Sequence, residues 1–299
     1  MQSTFATIVK ASRPKFIILA PVCVLVGVAA SVYAQAQINV ALVMSCFGIA
    51  TLGHISVNLL NEYHDATSGL DERTEKTPFS GGSGALQDNP SALKAVKGFG
   101  LLSLFALTLL GIYVISQVHV VMSVIGLIGI LVVLTYTPWL NRNPWLCLFA
   151  PGLGFGLLMV IGTYAALTGR VDPLIVCISL PVFCLVNNLL LLNQFPDAIV
   201  DKSVGRDHFV IRYGYQSAAL SYFVLAMLAY MSVLISVFAS LLPDLSLLSL
   251  IGLPVSILIA IKAKQFEPNN VQAILPILGL NVLVTLVVPL ILAFTLFLA

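Results

Sequence analysis

Long apolar runs alternate with short polar connections along this chain, and the runs are of bilayer-crossing length. A transmembrane helix needs roughly 20 predominantly apolar residues. Runs of that kind lie near 14–34, 39–60, 98–117, 119–138, 146–168, 172–192, 217–241, 247–264 and 274–298. The pattern predicts an all-α polytopic bundle of nine transmembrane helices, one integral-membrane domain over residues 1–299.

Polar side chains break the pattern in two places. In the second run, His54, Asn58, Asn61 and Asp65 follow one another at spacings of 4, 3 and 4, which puts all four on one helical face. At that depth polar groups face a bundle interior or a wet cavity; His54 and Asn58 can equally be hydrogen-bonding contacts between helices. The helix should end at Gly69, where the longest hydrophilic connection begins. At the end of the sixth run, Asn193, Asp197 and Asp201 stand at i, i+4 and i+8, a single stripe on a helix that Pro196 should kink. The two places repeat one layout: Asn61-x-x-x-Asp65-x-x-x-Gly69-x-Asp71 aligns position for position with Asp197-x-x-x-Asp201-x-x-x-Gly205-x-Asp207.

Composition sharpens the membrane assignment. The 299 residues are 59% hydrophobic and 9% charged, with a mean hydropathy of +1.04, whereas about a quarter of a soluble domain is charged. A soluble fold is excluded, and nothing in the charge pattern points to nucleic acid. The net charge of +2 hides an asymmetry, because thirteen of the fourteen Lys and Arg fall in connections on one side of the nine runs. They are Lys10, Arg13, Lys15, Arg73, Lys76, Lys94, Lys97, Arg142, Lys202, Arg206, Arg212, Lys262 and Lys264; Arg170 alone falls opposite. The positive-inside rule then puts the N-terminus and these connections in the cytoplasm and the C-terminus outside, as expected for the inner membrane of a prokaryote. The first run is long enough to stay as an anchor and not be cleaved as a signal. Five cysteines sit inside apolar runs without CxxC spacing, which suggests buried packing and neither a disulfide framework nor a zinc site.

The acids are as unevenly placed as the bases. Residues 62–88 hold six of the twelve (Glu62, Asp65, Asp71, Glu72, Glu75, Asp88), and 197–207 hold three more. Two such stretches, meeting from different helices, form an oxygen-rich pocket of the kind Mg2+ prefers alongside water and substrate phosphates. Neighbouring Lys and Arg would complement the phosphate oxygens. Arg142, the one cation of its connection, is a candidate ligand, and Arg13 or Lys15 is either a membrane anchor or a cation facing the site. Gly81-Gly82-Ser83-Gly84 is either a linker or a lid whose amides approach phosphate. The small residues Gly152, Gly154, Gly156 and Gly162 read as close helix packing, and the last three runs as wall. An acidic mouth over an apolar chamber describes a site for a polyprenyl diphosphate. The active-site connections are thereby placed near 62–97 and 194–214.

These residues resemble the UbiA-type intramembrane prenyltransferases over nearly the whole chain. Asn61-Glu-x-x-Asp65-x-x-x-Gly69-x-Asp71 and Asn193-x-x-x-Asp197-x-x-x-Asp201 carry the likeness, supported by Arg13-Pro14 and the Tyr136 segment. The detail is most similar to the menaquinone branch through Gly69-Leu-Asp71, Gly162-Thr-Tyr164 with Thr168-Gly169, Asp201-Lys-Ser-Val-Gly-Arg206 and Val210-Ile-Arg-Tyr-Gly214. Departures from the family pattern fall at Glu62, Gln194, Pro196 and Asp207-His208.

The resemblance implies Mg2+ held by Asp65, Asp71, Asp197 and Asp201, the catalytic acids, with Asn61 and Asn193 assisting. It implies substrate contacts from Asn58, Asn61, Tyr136 and Asn193, and diphosphate-binding cations among Arg73, Lys76, Arg142, Lys202 and Arg206. The expected reaction transfers a polyprenyl chain from its diphosphate to an aromatic acceptor, foremost 1,4-dihydroxy-2-naphthoate. Other acceptors of the same chemistry are 4-hydroxybenzoate, homogentisate, a chlorophyllide, a haem or glycerol phosphate. A membrane transporter, the reading from another class, predicts polar residues near the midplane of several helices, whereas the charges here gather at one face.

Overall fold

A computed structural model describes residues 3–70, 73, 76–118, 120 and 122–299 of the chain. All regular structure among them is helical. A short surface helix, α1 (Thr4–Ala11), precedes α2 (Pro14–Tyr33), α3 (Val40–Ser68), α4 (Pro90–Gln117), α5 (Met122–Thr135), α6 (Pro144–Thr168), α7 (Pro173–Asn193), the short α8 (Ala198–Ser203), α9 (Phe209–Phe238), α10 (Asp244–Lys264) and α11 (Val271–Leu298). Eight of these are long and apolar enough to cross a bilayer; α5, with 14 residues, is the shorter ninth apolar helix. Met122, at its start, and Val118, just past the end of α4, pack against a cluster that includes Val28 and Leu167. Just past the end of α5, the Thr137 hydroxyl accepts from Asn61 Nδ2 (3.2 Å) and the Asn141 carbonyl accepts from the Asp207 amide (3.1 Å).

The helices close into a ring. Helix α3 packs mainly on α4, α7 on α9, α9 on α10, and α11 returns to α2, which also meets α3 and α6. Small residues set the closest approaches. A Cβ on Gly27 of α2 would stand 2.7 Å from the Val160 carbonyl oxygen of α6, and one on Gly156 would overlap the backbone of Phe183 in α7. Without a hydrophobic drive between helices in lipid, such contact by dispersion is what holds them together. Buried polar pins add to it: Tyr222 donates to Asn281 Oδ1 (3.1 Å), Asn281 to the Asn188 carbonyl (3.1 Å), and Asn188 to the Tyr222 carbonyl (2.9 Å), joining α7, α9 and α11.

Local chemistry explains three irregularities that shape the site. Helix α3 ends at Gly69, whose φ of 71° is a left-handed cap, a conformation that glycine adopts without steric cost. In α6, Pro151 has no amide to donate, and the Gly152 amide reaches Asn187 Oδ1 (2.6 Å). The residues that follow, Leu153–Met159, widen into a π segment, a feature often found at functional sites. Pro196 does more than kink α7. The helix stops at Asn193, a turn follows, and α8 begins anew after Asp197. The single stripe expected for Asn193, Asp197 and Asp201 is therefore two helix ends joined by a turn.

Candidate active site

A cavity of about 720 Å3 runs down the inside of the ring. Its walls are apolar, drawn chiefly from α3, α4, α5 and the π segment of α6, and include Leu107, Ile115, Ile130, Phe155 and Leu158. Its polar end is built by the two acidic stretches, which come from α3 and from the α7–α9 connection. Asn58, Asn61, Asp65, Tyr136, Asn193, Asp197, Asp201 and Arg206 all line it.

One cation organises this end. Arg206 binds Asp65 through Nη2 and Asp201 through Nη1 (2.9 Å), so a single guanidinium bridges the first acidic stretch to the second. The planar fork of arginine suits such a double contact, which a lysine's point charge does not reproduce. Asp201 also has His208 Nε2 3.1 Å from its other oxygen.

The connection after α3 folds back over the same end. Thr77 Oγ1 accepts from the Phe79 and Ser80 amides (3.2 and 2.9 Å), making a tight turn of the kind hydroxyl side chains favour. Beyond it, Gly81 and Gly82, at φ 80° and 74°, take left-handed conformations, which cost glycine nothing sterically. The strap is pinned at both acidic stretches: the Gly81 amide donates to Asp197 Oδ2 (3.0 Å), while the Ser83 amide and hydroxyl donate to the Glu62 carboxylate (2.8 and 2.6 Å). Glu62 also accepts from Arg13 Nε and Nη2 (2.9 and 2.5 Å). Glu62 is thus turned away from the cavity into a clamp joining α2, α3 and the strap, a role its sequence position did not reveal.

The donor set fits a divalent cation. Asp197 Oδ1 and Asn193 Oδ1 are buried with no hydrogen-bond partner, and orphaned acceptor oxygens beside two further carboxylates suit a hard ion that takes oxygen ligands. Burial, and then the Asp201 carboxylate, push the Asp197 carboxyl up to about 7, as expected for a buried acid beside a like charge. Among the described residues, no three His, Cys, Asp or Glu side chains enclose an ion unaided, so substrate oxygens and water would complete the coordination.

The remaining sequence candidates are placed as follows. Asn58 donates to the Ser12 carbonyl (2.9 Å) and Asn61 accepts from Arg13 (3.3 Å), so both tie α3 to the segment before α2 while facing the cavity. Arg73, Lys76, Arg142 and Lys202 are exposed and do not line the cavity; the Lys76 ammonium lies against Gly84. Asp71 lies outside the described residues. Its counterpart in the repeat, Asp207, pairs with Arg212 at the surface, which holds that carboxyl below its usual range. Tyr164 hydrogen-bonds Asp172 (2.5 Å) at the opposite end of α6, far from the acids.

Comparison with known proteins agrees with this architecture. Residues 20–275 match the UbiA prenyltransferase family, and the chain belongs to it. It is 29% identical over 213 residues to a 1,4-dihydroxy-2-naphthoate octaprenyltransferase of Bacillus subtilis, covering 69% of this chain and 66% of that protein. It is 26% identical over 217 residues to the Haemophilus influenzae protein of the same name, covering 68% of each. Among solved structures, a digeranylgeranylglyceryl phosphate synthase superposes over 100% of both chains with a TM-score of 0.70 at 16% identity. A UbiA homologue from Archaeoglobus fulgidus bound to DMAPP and Mg2+ superposes with a TM-score of 0.69 at 12% identity, covering 98% of this chain and 99% of that one. These last two likenesses concern the fold.

Proposed function

We propose that this protein transfers a polyprenyl chain from an allylic diphosphate to an aromatic acceptor within the membrane, with 1,4-dihydroxy-2-naphthoate as the acceptor. The observation that carries the reading is the meeting of Asp65, Asp197, Asp201 and Arg206 at the polar end of an otherwise apolar cavity. The names of the Bacillus and Haemophilus relatives support the choice of acceptor, and the DMAPP and Mg2+ bound by the Archaeoglobus homologue support the donor and the ion.

In this reading Asp65, Asp197 and Asp201, with Asn61, Asn193 and Asp71, hold Mg2+ and the diphosphate. Bound Mg2+ supplies charge neutralisation for the departing diphosphate. Arg206 contributes fixed positive charge beside the leaving oxygens, as preorganised donors do at a developing anion. The strap from Phe79 to Ser83 covers the polar end, with its Gly81 amide on the Asp197 carboxylate. The wall around Phe155 and Leu158 houses the chain and keeps water from the allylic carbon while the electron-rich ring attacks it. Thirteen cations on the side of the acidic end favour a cytoplasmic site.

The deciding experiment incubates purified protein in detergent with Mg2+, geranyl diphosphate and 1,4-dihydroxy-2-naphthoate, with and without EDTA, and identifies the products by mass. A metal-dependent prenylated, decarboxylated naphthoquinol is expected. Turnover of a different phenol only would discard the acceptor, and no consumption of diphosphate with any acceptor would discard the reaction.

A further inference from the structure

The polar end of the cavity holds two more buried acceptors that the diphosphate does not explain. His208 is 1% exposed, lines the cavity, and has an unpartnered, buried Nδ1. Asn141 is 7% exposed, lines the same cavity, and has an unpartnered, buried Oδ1. Backbone geometry holds the two segments together, since the amide of Asp207, the residue before His208, donates to the Asn141 carbonyl (3.1 Å).

The chemistry of these atoms restricts what can satisfy them. The Asp201 carboxylate only accepts, so His208 Nε2 is the donor in the contact at 3.1 Å, and in the Nε2–H tautomer the other ring nitrogen, Nδ1, is an acceptor. The amide oxygen of Asn141 is likewise an acceptor. Diphosphate oxygens offer no hydrogen to either atom. A ligand that donates two hydrogen bonds and is otherwise flat and apolar matches the surroundings, because Tyr136, Cys147 and Pro151 line the cavity with them.

We infer that Asn141 Oδ1 and His208 Nδ1 form a phenol subsite, accepting hydrogen bonds from hydroxyl groups of the aromatic acceptor and setting its ring beside the diphosphate end of the prenyl chain. This rests on the prenyl-transfer reading and adds the residues that select the acceptor. Both touch substrate in this assignment. His208 has a second contact, to Asp201, whereas Asn141 Oδ1 has no partner among the described residues and so reports on the acceptor alone.

Steady-state kinetics on the protein in detergent, with Mg2+ and geranyl diphosphate, separate the Michaelis constants of the two substrates. Asn141→Leu should raise the constant for 1,4-dihydroxy-2-naphthoate about tenfold, the effect of one lost hydrogen bond, and leave that for geranyl diphosphate unchanged. His208→Phe should raise the acceptor constant at least as much. A second measurement needs no variant: the dimethyl ether of the acceptor, which cannot donate, should inhibit the wild-type enzyme about tenfold more weakly than a hydroxylated naphthoate, and Asn141→Leu should narrow that gap. Unchanged acceptor constants in both variants, or equal inhibition by ether and phenol, would overturn the subsite, as for a pocket that holds only water. Continued turnover would then leave prenyl transfer standing. Failure of the wild-type enzyme to prenylate any phenol would overturn both. Should a variant misfold, shown by lost thermal stabilisation with geranyl diphosphate and Mg2+, the wild-type ether comparison still decides.

Discussion

The clamp around Glu62 gives a prediction whose size follows from the structure. The Glu62 side chain is 0% exposed and, among the described residues, its carboxylate accepts two hydrogen bonds from Arg13, which is 23% exposed, and two from Ser83. Arg13→Met keeps the packing of the stem and removes the charge that balances a buried carboxylate. Removing one partner of a buried pair costs about 3–5 kcal/mol. The Ser83 amide and hydroxyl remain, and Arg13 is partly hydrated, so the lower end, about 3 kcal/mol, applies here. At roughly 2–4 °C per kcal/mol for a chain of this order of size, the apparent melting temperature should fall by about 6–12 °C. Unfolding scans in one detergent at one scan rate measure this. Scan rate must be fixed because heat unfolding of such proteins is often irreversible. The double variant Arg13→Met with Glu62→Leu carries the reasoning further, since replacing a buried ion pair by apolar groups is often close to neutral. It should recover most of the loss. A single variant within about 1 °C of wild type, or a double variant no better than the single, would refute the view of Glu62 as a buried charge that depends on Arg13.

Three further outcomes are expected. Asp197→Asn can still accept from the Gly81 amide and so should keep the fold, but it should abolish stabilisation by Mg2+ with geranyl diphosphate in the same melting assay; full retention would exclude Asp197 from the ion site. Arg206→Lys replaces a fork that reaches both Asp65 and Asp201 by a single ammonium, and should lower kcat by at least about tenfold, roughly 1.4 kcal/mol of lost leaving-group stabilisation, measured by product formation at saturating substrates. Gly156→Ala forces a Cβ into the Phe183 backbone, which cannot rotate aside, whereas a Cβ on Gly154 meets nothing within 4 Å; the first should cost about 3 kcal/mol of stability and the second should melt with wild type.

What the sequence made legible was whatever repeats along one helix. The spacing of His54, Asn58, Asn61 and Asp65 is a helical face, and α3 does turn all four into the cavity. The nine apolar runs likewise mark nine apolar helices among the described residues, because hydropathy needs no tertiary information. Two runs begin or end differently for local reasons: α5 is short, and Gly214, at φ 81°, separates the start of α9 from its membrane-crossing part. The stripe through Asn193, Asp197 and Asp201 failed as geometry because Pro196 breaks the helix that would have aligned it, yet the turn still delivers all three to the same cavity.

Contacts between segments distant in sequence were not legible. Five cations stood equal as diphosphate ligands, and only the path of the α7–α9 connection brings Arg206 between Asp65 and Asp201, while Arg73, Lys76, Arg142 and Lys202 stay outside. Glu62 looked like one more acid of the first stretch. Its partner Ser83 lies 21 residues on, across a connection whose course depends on three glycines at positive φ and on the Gly81 bond to Asp197. The strap therefore couples the two halves of the repeat: its Ser83 end is fixed to the first stretch by a buried charge, and its Gly81 end is held by Oδ2 of a carboxylate whose other oxygen, Oδ1, is the one offered to the proposed ion. That difference makes the Gly81 end the one expected to move when diphosphate enters. Hydrogen exchange with and without Mg2+ and geranyl diphosphate tests it: protection should change at Gly81 and Gly82 and stay constant at Ser83, and a uniform response along the strap would mean that it moves as one piece.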